Sequence, residues 1–176
     1  LIPFALVLLS MGMESSYFRF AAKAEAQGGE KAQIEARKRH LFATTWGANL
    51  VAAALFFVIV WLFREPITHL MGEAYVGHSE DIMLVALIIF FDVATMIPFS
   101  RLRERGEALR FVLLKACSVV INVSLAIGFE LVGLFDSEFG VGWAFVANLV
   151  ASTITLVAVV IASGRISLRV DWALLL

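Results

Sequence analysis

Two carboxylates are the first residues in this sequence whose surroundings make chemistry possible. Glu14 and Asp92 each lie within a long apolar run of the 176-residue chain. Ionisable groups in such runs are costly to bury, and they usually face the interior of a bundle or a wet cavity. There they hold protons, ions or the polar groups of a substrate. Helical spacing sets Ser10, Glu14 and Tyr17 on one face and Arg19 on another, with Ser15, Ser16 and Lys23. Glu14 has two readings: the wall or protonation site of a polar cavity, or a structural bond to a neighbouring span. For Arg19 the plain reading is a cation that snorkels to the membrane interface. Asp92 stands six residues before Pro98, a proline with no N–H for the carbonyl of Ala94, so a bend is expected there. A carboxylate beside a broken helix recurs at transporter ion and substrate sites. The alternative is an aspartate paired across helices next to an ordinary kink.

Further polar residues recur at helical spacing. Lys115, Ser118 and Asn122 form one stripe, Asn148, Ser152 and Thr155 another, and Thr45 and Asn49 a third. Such residues commonly join helices by hydrogen bonds, and helix packing is the plain reading of each, with Asn122 and Asn148 more open to a cavity role. Lys115 is close enough to a span end to snorkel, and Glu130 is close enough to be solvated. His69 and His78 lie near Glu73 and Glu80 without a recognised ligand spacing, so no metal site is expected. Cys117 is the single cysteine and forms no disulfide within the chain. Neither a phosphate-binding glycine loop, a nucleophile elbow nor a zinc-protease motif is present, so neither an enzyme nor a cofactor is expected.

The elements that position these residues follow from composition. Hydrophobic residues make up 61% of the chain and charged residues 16%, and its mean hydropathy is +0.90. Soluble domains are nearer half apolar and a quarter charged, so the solvent implied is lipid. Five stretches are long enough to span as helices: residues 1–22, 41–63, 82–100, 111–135 and 141–163. Barrel strands would instead alternate over about ten residues. The expected fold is an all-α polytopic bundle in one region, residues 1–176. The chain opens at Leu1 inside an apolar run and reads as an internal piece of a longer protein.

Charge then orients the spans. The segment 23–40 carries Lys23, Lys31, Arg37, Lys38 and Arg39, and 101–110 carries Arg101, Arg103, Arg105 and Arg110. Between them, 64–81 sets Arg64 against Glu65, Glu73, Glu80 and Asp81. Asp136 and Glu138 make the next loop acidic, and Arg165 and Arg169 make the tail basic. The positive-inside rule places 23–40, 101–110 and the tail in the cytoplasm. Trp61 and Trp143 at one set of span ends, and Trp46 near the other, are expected as interfacial anchors. With charges sorted by loop rather than gathered in one basic patch, no nucleic-acid partner is expected.

Three strings carry a resemblance. Gly12-Met13-Glu14-Ser15-Ser16-Tyr17-Phe18-Arg19-Phe20 is similar to the second membrane helix of bacterial polysaccharide-biosynthesis flippases. The second string runs from Asp92 through Pro98-Phe99-Ser100-Arg101-Leu102-Arg103 and Leu109-Arg110-Phe111 to Lys115 and Asn122. The third is Phe139-Gly140-Val141-Gly142-Trp143-Ala144-Phe145-Val146-Ala147-Asn148-Leu149. In that order they resemble the O-antigen-type exporters of lipid-linked oligosaccharides in the MATE-like superfamily. The resemblance implies helices two to six of a protein with twelve to fourteen spans, arranged as two lobes. It implies a multi-pass protein of the bacterial inner membrane that flips a polyprenyl-pyrophosphate-linked glycan. Its partners would be that substrate, membrane lipids and the remaining helices. Glu14, Asp92, Asn122 and Asn148 would line a polar cavity, and Arg19 and Arg101 would meet phosphate near the cytoplasmic entrance. A multidrug exporter of the same superfamily is the nearest alternative, and a membrane-bound glycan polymerase or ligase is a more distant one.

Overall fold

The computed structural model describes residues 12–71, 79–137 and 139–164. They form an all-α bundle: α1 (Met13–Ala26), α2 (Lys31–Leu62), α3 (Arg64–Met71), α4 (Ser79–Glu104), α5 (Ala108–Leu131), a 3-10 turn (Leu134–Asp136) and α6 (Gly142–Ala162). Among the described residues there is no strand. Among the described residues, four helices, α2, α4, α5 and α6, are long and apolar enough to cross a membrane. Half of the first expected span, residues 1–11, lies outside the described residues, and α1 covers most of the other half. Ser10, Glu73, His78, Glu138, Arg165 and Arg169 also lie outside them.

Helix and membrane span are different lengths here. Helix α2 begins at Lys31, ten residues before the apolar run at Leu41, so much of the expected loop 23–40 is helical. The reversal from α1 to α2 is confined to a few residues around Gly28 and Gly29, whose φ values of 65° and 118° suit glycine. Similarly, α4 continues to Glu104 and α5 starts at Ala108, which leaves a short turn in place of the expected loop 101–110.

Helix α4 is the axis of the bundle. It meets α1, α2, α5 and α6, and residues 93–102 are buried apart from Met96. On its α2 side, Ala53 packs with Ile89 and Val93, and Val60 with Ile82 and Ala86. Tyr17, Phe42, Trp46 and Ile97 join α1, α2 and α4 in one cluster. Phe99 and Leu102 meet Val159, with Phe111 and Leu114 packed beside them. Helix α6 turns Ala147, Ala151, Ser152 and Thr155 inward; small residues at this spacing let membrane helices approach closely, where dispersion contacts replace the missing hydrophobic drive.

Pro98 explains why α2 fits α4. The carbonyl of Ala94, which a residue other than proline at 98 would satisfy, accepts the indole N–H of Trp46 at 2.8 Å. One residue earlier, the Val93 carbonyl accepts from Asn49 Nδ2 at 2.7 Å. In lipid no water is present to satisfy such groups, so a partner helix must do so. Asn49 therefore joins helices, as expected. Trp46 does not act as the interfacial anchor expected of it: it is buried in the core because its donor belongs to the proline site. Trp61 remains exposed at its helix end.

Candidate functional site

One stripe of α4 gathers most of the chemistry. Asp92, Met96, Phe99 and Arg103 follow one another at spacings of four, three and four, which aligns them along one face. Ser152 of α6 donates to Asp92 Oδ1 at 2.9 Å, and the carboxylate is half-buried. From α5, the Lys115 ammonium lies 4.7 Å from the centre of the Phe99 ring. At the end of the stripe the Arg103 guanidinium lies 5.4 Å from the ring centre of Phe18 on α1 and 5.2 Å from that of Phe111 on α5. It ends in an ion pair with Glu14. Helices α1 and α5 thus flank this face of α4, and charges of both signs run along it.

The expected site residues divide accordingly. Asp92 and Glu14 both contribute to this face, and both have protein partners. The Glu14 partner, Arg103, was not among the expected site residues. Its spacing from Asp92 and Phe99 was the available signal, obscured by its place in a basic loop. Asn122 lies seven residues beyond Lys115 on α5 and is half-buried. Asn148 lies one turn before Ser152 on α6 and is likewise half-buried. Thr155 donates to the Ala151 carbonyl of its own helix rather than bridging helices. Arg19 is exposed on α1, away from the α4 stripe.

Arg101 occupies a different setting from Arg19. It is 4% exposed, and its guanidinium carbon lies 4.3 Å above the Phe42 ring centre. Its Nη1 and the nearby Tyr17 hydroxyl are buried without a hydrogen-bond partner. An arginine held this way stacks on an aromatic face while part of its donor set stays unspent. In this conformation Arg101 is packed inside the cluster of α1, α2 and α4, rather than lining an open entrance.

A charged clasp closes over the same end of the bundle. Lys38 of α2 pairs with Glu25 of α1 and, at 2.5 Å, with Glu104 of α4. Arg105 donates to the Ser163 carbonyl at the end of α6 at 3.1 Å. The two basic segments identified from charge, 23–40 and 101–110, therefore meet at one end. Residues from the acidic segment 64–81 and from the loop before α6 meet at the other: Arg64, Glu80 and Phe139 line a common cleft there. Among the described residues no group of acidic, histidine and cysteine side chains is suited to a metal ion.

No protein-family model, curated protein or solved structure matches the chain.

Proposed function

We propose that this chain is part of a membrane transporter that flips a polyprenyl-pyrophosphate-linked oligosaccharide from the cytoplasmic to the outer leaflet. The observation that carries the reading is the polar face of α4, where Asp92, Lys115, Arg103 and Glu14 line one side of a helix of membrane-spanning length. Bare lipid tolerates such charges poorly, so a face of this kind belongs against water or a polar cargo. A glycan needs such a path, because its hydroxyls would lose their hydrogen bonds to water in hydrocarbon. Its pyrophosphate needs cations, and Lys115 and Arg103 supply them on this face. The three sequence strings that resemble polysaccharide flippases support the same reading. In the proposed two-lobe protein this face turns toward the second lobe.

Amide variants test it. Asp92→Asn keeps the shape and the bond from Ser152 while removing the charge. In the full-length protein it should accumulate normally and lose glycan export; normal export would remove Asp92 from the mechanism. The proposed location is the bacterial inner membrane with 23–40 and 101–110 in the cytoplasm. A cysteine placed at Ser79 should then react with an impermeant reagent outside, and one at Gln33 should not. The reverse labelling would invert the topology.

A further inference from the structure

The end of the bundle opposite the charged clasp holds a cleft that the transport reading does not use. Its volume is about 290 Å³, and its walls are Phe57 of α2, Arg64 of α3, Met83, Leu84 and Leu87 of α4, and Phe139 of the loop before α6, with Glu80 at its rim. Glu80, Met83, Leu84 and Leu87 fall at spacings of three, four and seven along one face of α4. The cleft therefore runs down roughly 10 Å of helix, from charged residues into the apolar span. Phe139 is fixed in this wall by its neighbours. A side chain on Gly142 would lie 2.5 Å from the Phe139 ring, and Trp143 meets that ring edge-on at 5.6 Å between centres.

We infer that this cleft binds one acyl chain of a phospholipid whose headgroup carries both a phosphate and a primary ammonium. The volume lies at the lower bound of pockets that enclose whole small molecules, about 300 to 1,000 Å³, and suits a single chain. Within a bilayer an apolar chain gains little by leaving other chains, so selectivity rests with the charges at the rim. Arg64 and Glu80 are exposed there and are not paired with each other. A guanidinium fork matches a phosphate, and a carboxylate accepts from an ammonium N–H. A purely anionic headgroup meets Arg64 but is repelled by Glu80, with Glu65 and Asp81 adjoining in sequence. A quaternary headgroup has no N–H to donate to Glu80. The ligand class is therefore an ethanolamine-type phospholipid, and the site is independent of the polar face of α4.

Native mass spectrometry of the delipidated full-length protein tests this, using equimolar phosphatidylethanolamine, phosphatidylcholine, phosphatidylglycerol and a polyprenyl phosphate. Phosphatidylethanolamine should be retained about tenfold over each of the others, the scale of one charge-assisted hydrogen bond. Glu80→Gln should abolish the preference over phosphatidylglycerol, and Arg64→Gln should weaken both lipids. Leu84→Trp should fill the cleft and remove retention. Equal retention of all four lipids, or stronger retention of the polyprenyl phosphate, would overturn the proposal. So would an unchanged preference in Glu80→Gln, an exposed position where misfolding is not at issue.

Discussion

Helices α4 and α5 are both long and apolar enough to span a bilayer, yet more than half of the most apolar stretch of α4 is buried and none of that of α5. Hydropathy reports that a helix enters lipid; it does not report what the helix meets there. Helix α4 is central because it carries defects that neighbours must repair: a proline that frees the Ala94 carbonyl, a carboxylate at 92, and an arginine at 101. Helix α5 has no comparable backbone defect, and Val112, Val119, Val120, Val123 and Ile127 remain exposed on it. Polar and backbone needs, rather than apolarity, choose the centre of this bundle.

Truncation should separate the two helices most widely. Trp46→Ala removes a buried ring and the donor to Ala94 together, and should cost about 3 to 5 kcal/mol of unfolding free energy in detergent. Val119→Ala or Val120→Ala should stay within about 0.5 kcal/mol. Comparable losses at both places would end the distinction between hub and periphery.

A double-mutant cycle sharpens the claim about Pro98. Trp46→Phe leaves the Ala94 carbonyl unpaired, a cost of about 1 to 3 kcal/mol. Pro98→Ala restores a backbone N–H to the same carbonyl, so the loss from Trp46→Phe should shrink in that background. Coupling of about 0.5 to 3 kcal/mol is expected, and strict additivity would show that the indole bond does not serve the proline defect. A small effect is expected at the Glu14–Arg103 pair, whose side chains are about a third or more exposed. Glu14→Gln should change stability by less than about 1 kcal/mol, which reserves any large loss of export for function.

The sequence revealed the helical class and the regions of α2, α4, α5 and α6, because apolar length is written locally. It also revealed which segments share an end, since charge sorts by loop. Pairings between helices were less legible. Asp92 and Pro98 announced themselves as intramembrane exceptions, but nothing local shows that Trp46 answers the proline or that Ser152 answers the aspartate. Trp46 was misleading for a physical reason: tryptophan is amphipathic, and its N–H is satisfied equally by an interface or by a free carbonyl. Glu14 and Arg103 lie 89 residues apart, and only the turn of α1 against α4 brings them together. The reach of α2 back to Lys31 was hidden because a solvated helical turn has no apolar signature.

The central claim is that the polar face of α4 forms part of a glycan-lipid path, and reconstitution tests it most directly. Vesicles containing the full-length protein would be loaded with a fluorescent polyprenyl-pyrophosphate oligosaccharide, and its movement between leaflets read by an impermeant quencher. The account predicts transfer by the native protein and its loss in Asp92→Asn, with both proteins inserted equally. Transfer at the native rate in Asp92→Asn, or none above empty vesicles in the native protein, would contradict it.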